Sequence, residues 1–275
     1  MFATRFAPSP TGYLHRGHAY SALSAFTAAR AAGGRFVLRI EDIDTTRCRP
    51  AFEAAIHEDL AWLGLDWETP VRRQSEHLAD YQAALGRLEA EGLLYRCFRT
   101  RREVAEAMAS APHGPMEVFR GGPLAADEEA SRLTAGEGFA WRLSLEAATR
   151  RLGGVGALTF VEDGEGLIAA RPELGGDVVL ARRDVGVAYH LAVVVDDALQ
   201  EITQVIRGAD LAEATHVQRL LQALLGLPTP TYRHHRLLTG PDGTRYAKRD
   251  QAETLRSLRE RGMSAARLRE ALGFG

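Results

Sequence analysis

Two histidines separated by an arginine and a glycine form the densest chemical motif of the chain. His15 and His18 follow a short apolar segment, 2–7, and lie at the start of an alanine-rich stretch, 17–32, with helical spacing of its apolar residues. Gly17 lets a ligand approach the backbone, and the free amides of a helix N-terminus favour a negative charge. The motif therefore predicts a phosphate-binding site, and two solvent-exposed histidines at a helix cap are the alternative.

A single lysine forms the second motif. Lys248 is the only lysine, and the other 33 of the 34 Lys and Arg residues are arginine. It lies in the segment 243–249, directly after a Gly-Pro-Asp-Gly turn at 240–243. A GC-rich genome explains why lysine is scarce but does not explain this position. Because a compact ammonium on a flexible stem suits a phosphate that moves during a reaction, we predict a catalytic cation at Lys248.

Charged residues also lie at the ends of predicted strands. Arg5 is near the end of the first strand, Glu41 follows the strand 36–40, and Arg207 follows the strand 202–206. An arginine clamps a carboxylate and a carboxylate binds an ammonium group, so Arg5 and Glu41 together predict a site for an amino acid. A structural salt bridge, including one between the two residues, is an equal alternative.

Further polar residues follow the same pattern. Tyr189 begins the apolar run 188–195, which we interpret as a strand, so its hydroxyl is expected in the same crevice; a core aromatic is the alternative. Asp196 and Asp197 are predicted turn residues at the end of that strand, and a pair of metal-binding carboxylates is the alternative. Asp42 and Asp44 are predicted to act in caps and turns.

The elements that position these residues predict an α/β fold. Strand, loop, helix and strand over residues 2–40 form a βαβ unit, which requires a parallel sheet. Val- and Ile-rich segments at 178–181, 188–195 and 202–206 are predicted to be further buried parallel strands. Other strands are predicted at 94–98, 140–145, 157–161 and 232–238. Helices are predicted at 17–32, 51–63, 76–91 with Ser75 as N-cap, after a capping box at Thr100–Glu103, at 211–225 and within 251–275.

Composition limits the class of protein. A chain of 275 residues with 45% hydrophobic and 25% charged residues is large enough for a full globular core. No apolar run reaches the roughly 20 residues that span a bilayer, and no secretory signal is evident. Two cysteines, Cys48 and Cys97, are too few for a disulfide framework. We expect a cytoplasmic protein with free thiols and no membrane partner. With a net charge of −2, a nucleic-acid partner would need a local basic surface.

Taken together, the motifs resemble class I aminoacyl-tRNA synthetases of the glutamyl and glutaminyl group. Residues 15–18 correspond to the HIGH signature of that family, and 245–249 to KMSKS with Lys248 on its second lysine. Arg16 and the pair Tyr246–Ala247 depart from the usual residues of these signatures. Matching segments occur in family order across most of the chain, at 5–12, 15–18, 39–44, 189–192, 195–197, 205–208 and 245–249.

The resemblance implies a Rossmann-type catalytic domain with an inserted α+β lobe and a short helical C-terminal segment. The implied division is 1–96 for the first catalytic half, 97–176 for an acceptor-type lobe, 177–239 for the second half, and 240–275 for the KMSKS-like loop and C-terminal helices. Only 26 residues follow Arg249, so no anticodon-binding domain is expected. This layout, and Val193 where full-length enzymes usually carry asparagine, is similar to the stand-alone glutamyl-queuosine tRNA(Asp) synthetase group.

The resemblance also implies an activity and its residues. The expected reaction activates glutamate with ATP and transfers it to queuosine at the wobble position of tRNA(Asp), in a monomer that binds the tRNA(Asp) anticodon stem-loop. The implied catalytic residues are His15, His18 and Lys248. The implied glutamate-binding residues are Arg5, Ala7, Ser9, Glu41, Tyr189 and Arg207, and the implied ATP-binding residues are His15, Gly17, His18, Gly208 and Lys248.

Metal use is expected to be limited. Magnesium is implied only as the counter-ion of ATP. Related paralogues often bind zinc through a Cys-x-Cys pair, but here Cys97 is followed by Phe98 and Arg99, and no later cysteine exists. One thiol, even with His113 nearby, does not complete a four-ligand site, so no structural zinc is predicted.

Three alternatives stay open at the level of sequence. The chain could be a truncated glutamyl-tRNA synthetase that charges a 3′ end, or a catalytically silent tRNA-binding paralogue. A nucleotidylyltransferase shares the HxGH loop but should lack the set Arg5, Glu41 and Arg207. Candidate phosphate contacts to tRNA are Arg99, Arg101, Arg102, Arg256, Arg259 and Arg261. Solvated helix faces account for at least half of these arginines.

Overall fold

A computed structural model describes residues 1–109, 118–182, 186–238 and 253–275. Lys248 and the segment 245–249 therefore lie outside the described residues, as does His113. The strands are β1 (Ala3–Phe6), β2 (Arg35–Ile40), β3 (Arg72–Arg73), β4 (Leu94–Cys97), β5 (Ala140–Leu143), β6 (Thr159–Glu162), β7 (Gly166–Ala169), β8 (Val179–Arg182), β9 (Gly186–Val187), β10 (Gln204–Gly208) and β11 (Thr231–His235). The α-helices are α1 (Arg16–Ala31), α2 (Pro50–Trp62), α3 (Leu78–Ala90), α4 (Arg101–Ala109), α5 (Ala126–Thr134), α6 (Leu145–Arg151), α7 (Tyr189–Leu199), α8 (Ala212–Leu225), α9 (Leu255–Glu260) and α10 (Ala265–Ala271).

Parallel strands build the platform of the fold. β1 pairs in parallel with β2, and β10 pairs in parallel with β11. Reciprocal bonds join the two pairs, because Ala3 N donates to Thr203 Oγ1 and Thr203 N donates to Ala3 O, both at 2.9 Å. The carboxyl ends of these strands consequently meet at one edge, which is where an open α/β sheet binds its ligands. The predicted βαβ unit and α/β fold class are confirmed.

Helix α1 lies against this platform through small side chains. Ala19, Ala22, Ala25 and Ala29 are all buried, which lets the helix approach the sheet closely. The helix contacts β1, β2 and β10, so its N-terminus is fixed beside their carboxyl ends. The alanine-rich composition of 17–32 thus places the predicted histidine motif at the ligand edge.

A second sheet lies outside the parallel platform. β4, β5, β8 and β9 pair in antiparallel fashion in that order. The hairpin β6–β7 instead extends the β10–β11 pair, since Tyr232 of β11 is in parallel register with Glu162 of β6. Both arrangements involve residues within 97–176 and residues outside it. The proposed division of the chain into segments stays a prediction.

Three local predictions are wrong. The run 188–195 is not a strand but the beginning of α7, and it is buried on nearly all sides; periodicity does not separate a fully apolar helix from a buried strand. Segment 178–181 does form a strand, β8, but it is antiparallel because its neighbours are β5 and β9. Ser75 does not cap α3; its N and Oγ donate to Asp42 at 2.8 and 2.5 Å.

Other local predictions are confirmed. Thr100 and Glu103 form a reciprocal capping box at the start of α4, with Thr100 N donating to Glu103 Oε2 at 2.7 Å. Helix α8 ends at Gly226 in the left-handed conformation, φ 63°, where glycine is favoured. None of the helices in the described ranges is long and apolar enough to span a bilayer.

Candidate active site

A cavity of about 580 Å³ opens at the carboxyl ends of the parallel strands. Every predicted site residue that the structure describes lines it: Arg5, Ala7, Ser9, His15, Gly17, His18, Glu41, Tyr189, Arg207 and Gly208. They come from the end of β1 and the loop that follows it, the start of α1, the end of β2, the start of α7 and the end of β10. Lys248, the remaining predicted residue, lies outside the described part of the chain. Leu238, the last described residue before that segment, also lines the cavity.

The two histidines cap α1 reciprocally. His15 Nδ1 accepts from Gly17 N at 3.1 Å, and His18 Nδ1 accepts from His15 N at 3.2 Å. A neutral imidazole that accepts through Nδ1 carries its proton on Nε2. Each ring therefore offers an Nε2–H donor, and the ring centroids are 3.8 Å apart. Two such donors beside the amides of a helix N-terminus have the chemistry that binds phosphate oxygens, and the phosphate site stays a prediction.

The absence of a side chain at Gly17 gives the His15 ring the space that it occupies. A Cβ at position 17 would lie 3.0 Å from His15 Cε1 and 3.1 Å from His15 Nδ1. These separations are shorter than ordinary carbon contacts, so a larger residue would displace the ring. The glycine thus allows His15 to fold over its own helix.

Arg5 and Glu41 are not paired with each other. Arg5 Nε donates to Asp197 Oδ1 at 3.1 Å, whereas Glu41 Oε1 accepts from Arg39 Nη2 at 3.1 Å. Arg39 also donates to Asp197 Oδ1 at 2.8 Å and is fully buried. One internal network therefore fixes both site residues. Glu41 is held beside the β1 loop by its own amide, which donates to Pro8 O at 3.0 Å.

The aspartate pair has a different role from the one predicted. Asp196 and Asp197 do not form a turn but lie buried in α7. Asp196 accepts from Tyr81 Oη at 2.9 Å and from Arg72 Nε at 2.7 Å, away from the cavity. These acids neutralise the arginines that support the site, since buried charges need partners.

Burial and charge act in opposite directions on the two site carboxylates. Burial raises the pKa of Glu41 above its ordinary value, although Arg39 and Arg5 oppose the shift. Burial also disfavours ionised Asp197, but the charges of Arg5 and Arg39 prevail and hold the pKa of Asp197 below its ordinary value. An additional cation in the cavity would therefore stabilise the ionised form of Glu41.

Arg207 is a buried cation whose described neighbours are neutral. It is 4% exposed; Nη1 donates to Tyr189 Oη at 3.3 Å, and Nη2 donates to Thr215 Oγ1 at 2.7 Å. Its Nε donates to Nε2 of His234 at 3.2 Å. No Asp or Glu of the described ranges forms an ion pair with it. Because a buried charge without a counter-ion is costly, this position suits an anionic ligand.

Several residues at the site were not found from the sequence. His235 and Ser21 line the cavity, with His235 Nε2 and Ser21 Oγ 3.0 Å apart. Thr215, Glu162 and His234 lie behind Arg207. His234 and His235 are adjacent in the predicted strand 232–238, and one of two neighbouring strand residues must face inward. That pair was the signal from which an inward-facing histidine could have been predicted.

The comparisons with known proteins agree with this geometry. Residues 1–273 match the family described as "tRNA synthetases class I (E and Q), catalytic domain". The chain belongs to this family. It is 46% identical to the "Glutamyl-Q tRNA(Asp) synthetase" of Rhodobacter capsulatus, over 98% of this chain and 99% of that protein. It is 43% identical to the protein of the same name from Symbiobacterium thermophilum, over 96% of this chain and 83% of that protein.

A solved structure has the same fold. The glutamate tRNA ligase of Elizabethkingia meningosepticum, crystallised in complex with its amino acid, superposes with a TM-score of 0.74 at 28% identity. The match covers 90% of this chain and 52% of the ligase, so this chain spans about half of that enzyme's length. The expected Rossmann-type class I synthetase fold is confirmed. Membership of this class I synthetase family implies the use of ATP, an amino acid and tRNA.

The described residues also bear on metal binding. Within 1–109, 118–182, 186–238 and 253–275, no group of three or more His, Cys, Asp or Glu side chains is arranged to hold a metal ion. Cys97 is buried in an apolar cluster with Tyr95 and Phe119. The absence of structural zinc stays a prediction.

Proposed function

We propose that this chain activates glutamate with ATP and transfers the glutamyl group to the queuosine base at the wobble position of tRNA(Asp). The observation that carries the proposal is Arg207, a buried cation with neutral described partners, in the same cavity as Glu41. A dicarboxylic amino acid supplies both a carboxylate for the first and an ammonium group for the second. The names of the relatives in Rhodobacter and Symbiobacterium support glutamate as that amino acid.

The proposed glutamate subsite combines residues from four elements, β1, β2, α7 and β10, and from the loop after β1. Arg207 and the Tyr189 hydroxyl offer hydrogen-bond donors from β10 and α7, while Arg5, already oriented by Asp197, offers a second cation from β1. Glu41 supplies the negative charge for the ammonium group. Ala7 and Ser9 line the cavity between them. Such a constellation discriminates by charge, because an uncharged analogue would leave a buried cation unpaired.

Activation needs no covalent intermediate on the protein. A carboxylate oxygen of glutamate attacks the α-phosphorus of ATP, the bond to the β-phosphate bridging oxygen breaks, and pyrophosphate leaves. His15 and His18, whose Nδ1 atoms accept backbone hydrogen bonds, are proposed to donate through Nε2–H to phosphate oxygens as negative charge shifts toward the leaving group. Lys248 is proposed to supply a mobile cation for the same oxygens. Mg²⁺ is proposed to enter with ATP, coordinated by phosphate and water.

The second step transfers the glutamyl group. A hydroxyl of the queuosine cyclopentenediol attacks the carbonyl carbon of glutamyl-adenylate, its proton is lost, and AMP leaves. The chain must therefore admit a single base into the cavity rather than the 3′ end of a tRNA. The relatives named as glutamyl-Q tRNA(Asp) synthetases favour this acceptor over a 3′ hydroxyl.

Ion pairs within the chain reduce the number of arginines that we propose as contacts to tRNA. Arg256, Arg259 and Arg261 each pair with a carboxylate, of Glu260, Glu58 and Glu253 respectively. This arrangement favours a solvated surface for the C-terminal arginines. Exposed Arg99, which precedes α4, and exposed Arg101, its first residue, remain the stronger candidates for phosphate contacts.

Two assays test the proposal. The first measures glutamate-dependent exchange of labelled pyrophosphate into ATP, which a catalytically silent paralogue would not support. The second offers labelled glutamate, ATP and three forms of tRNA(Asp): with queuosine, with guanosine at the wobble position, and with queuosine but without the 3′-terminal adenosine. The proposal predicts labelling of the first and third forms. Labelling that needs the 3′ adenosine would instead favour a truncated glutamyl-tRNA synthetase.

A further inference from the structure

A buried acid–imidazole pair stands directly behind Arg207. Glu162, at the end of β6, accepts from His234 N at 2.6 Å, and its second oxygen lies 2.8 Å from His234 Nδ1. The opposite ring nitrogen, Nε2, is 3.2 Å from Arg207 Nε. The side chains of Glu162 and His234 are 10% and 8% exposed, so the whole series is shielded from water. Neither residue lines the cavity.

The contacts fix one state of the imidazole. Arg207 Nε is only a donor, so His234 Nε2 must accept. The proton of a neutral ring then lies on Nδ1 and is donated to the Glu162 carboxylate. Burial and the charge of Arg207 lower the pKa of His234, although Glu162 opposes the shift. The neutral ring is therefore the form that this geometry supports.

Two further groups restrict the guanidinium. Thr215 Oγ1 accepts from Arg207 Nη2 at 2.7 Å and lies 3.1 Å from His234 Nε2. The guanidinium carbon lies 5.4 Å from the ring centroid of Tyr232, which is itself parallel to the His234 ring. These contacts engage Nε and one side of Nη2. Nη1 does not take part in these contacts. It bonds the hydroxyl of Tyr189, a residue that lines the cavity.

The charge arrangement differs from that of Arg5. Arg5 bonds a carboxylate directly, through Asp197. Arg207 instead contacts the neutral ring of His234. The carboxylate of Glu162 lies on the far side of that ring. A carboxylate bonded directly to the guanidinium would compete with an anionic substrate. A carboxylate that acts through the His234 ring stabilises the buried cation and leaves the guanidinium able to bind a substrate carboxylate.

We propose that Glu162 and His234 are positioning residues that orient Arg207 toward a substrate carboxylate while leaving its charge available. The inference rests on the proposed function, because the carboxylate in question is that of glutamate. It predicts that a loss of either residue weakens glutamate binding and leaves ATP binding unchanged. It also predicts weaker discrimination between glutamate and its uncharged amide, glutamine.

The test compares four variants by pyrophosphate exchange. His234→Leu removes the acceptor, and hydrogen bonds to charged groups are strong enough for the glutamate KM to rise by roughly 10- to 100-fold. Glu162→Gln keeps the shape but removes the charge, and should raise that KM by about 5- to 10-fold. His234→Gln keeps both a donor and an acceptor and should restore most of the affinity. The KM for ATP should stay within about twofold in every variant.

His216→Leu is the matched control. His216 belongs to α8, packs against Phe160 of β6 and accepts from Arg171 N, but it has no contact with Arg207. An equal rise in the glutamate KM of this variant would overturn the proposal, as would an unaltered KM in His234→Leu. If His234→Leu does not melt cooperatively, Glu162→Gln decides alone. Absence of glutamate-dependent exchange in the wild-type protein would contradict the proposed function instead.

Discussion

Replacing Arg207 by methionine separates binding from folding. Methionine keeps much of the apolar stem but removes a guanidinium that is 4% exposed and has neutral described partners. The substitution removes a buried charge, while Thr215 and His234 can still bond to each other across 3.1 Å. Stability and activity should therefore respond very differently.

The contacts of Arg207 determine how large each effect of the substitution should be. Two hydrogen bonds from an ionised donor to a substrate carboxylate are worth about 3–5 kcal/mol, so kcat/KM for glutamate should fall by roughly 10²- to 10⁴-fold. The free energy of unfolding should change by no more than about 1 kcal/mol, because the lost hydrogen bonds and the relieved charge burial oppose each other. The KM for ATP should hardly change.

The measurements are pyrophosphate exchange at varied glutamate and urea unfolding of the same preparations. Arg219→Met is the control, since Arg219 lies on α8, donates to Thr159 O at 2.8 Å and does not line the cavity. Its exchange activity should equal that of the wild-type protein. Arg207→Met with an unaltered glutamate KM, or with a loss of several kcal/mol in stability, would refute the reasoning.

Three further predictions concern other parts of the chain. Lys248→Ala should slow exchange much more than it weakens glutamate binding, and unchanged exchange would exclude the proposed cationic role. Arg16 and Glu253, 3.0 Å apart and partly exposed, should show a coupling of only about 0.5–1 kcal/mol in a double-mutant cycle of exchange rates with Arg16→Met and Glu253→Gln. Zero coupling would mean that this ion pair does not help to hold the HxGH loop against the segment that begins at Glu253. Asp59 has no hydrogen-bond partner among the described residues, and burial raises its pKa to about 6 despite nearby Arg259. Its proton is bound more tightly in the folded state, so stability should fall as pH rises from about 4 to 6. Asp59→Asn should therefore be about 1–2 kcal/mol more stable than wild type at pH 8 and lose this advantage near pH 4, as measured by urea unfolding.

Parallel-strand geometry made most of the cavity predictable. Arg5, Glu41 and Arg207 lie at strand ends, and the carboxyl ends of parallel strands meet, so their convergence followed from sequence position alone. The positions of His15 and His18 were equally predictable from the sequence, because the helix start and the glycine between them are local features. The partners of Arg5 and Glu41 were not predictable from the sequence, because the network that holds them is completed by Asp197, 192 residues away from Arg5.

Long-range contacts explain what the sequence did not reveal. Asp196 and Asp197 were interpreted as a turn because α7 was interpreted as a strand, and an apolar run carries no period that separates the two. Glu162 and His234, 72 residues apart in the sequence, meet only because the β6–β7 hairpin joins β11 in parallel. Neither residue carries a motif of its own, so only the fold shows that they support Arg207.

The most direct test of the account is the fate of labelled glutamate on tRNA(Asp) that carries queuosine but lacks its 3′-terminal adenosine. The account predicts ATP-dependent labelling of this tRNA, and none of tRNA(Asp) with guanosine at the wobble position. Labelling of the guanosine form only when its 3′ adenosine is present would contradict the proposed acceptor.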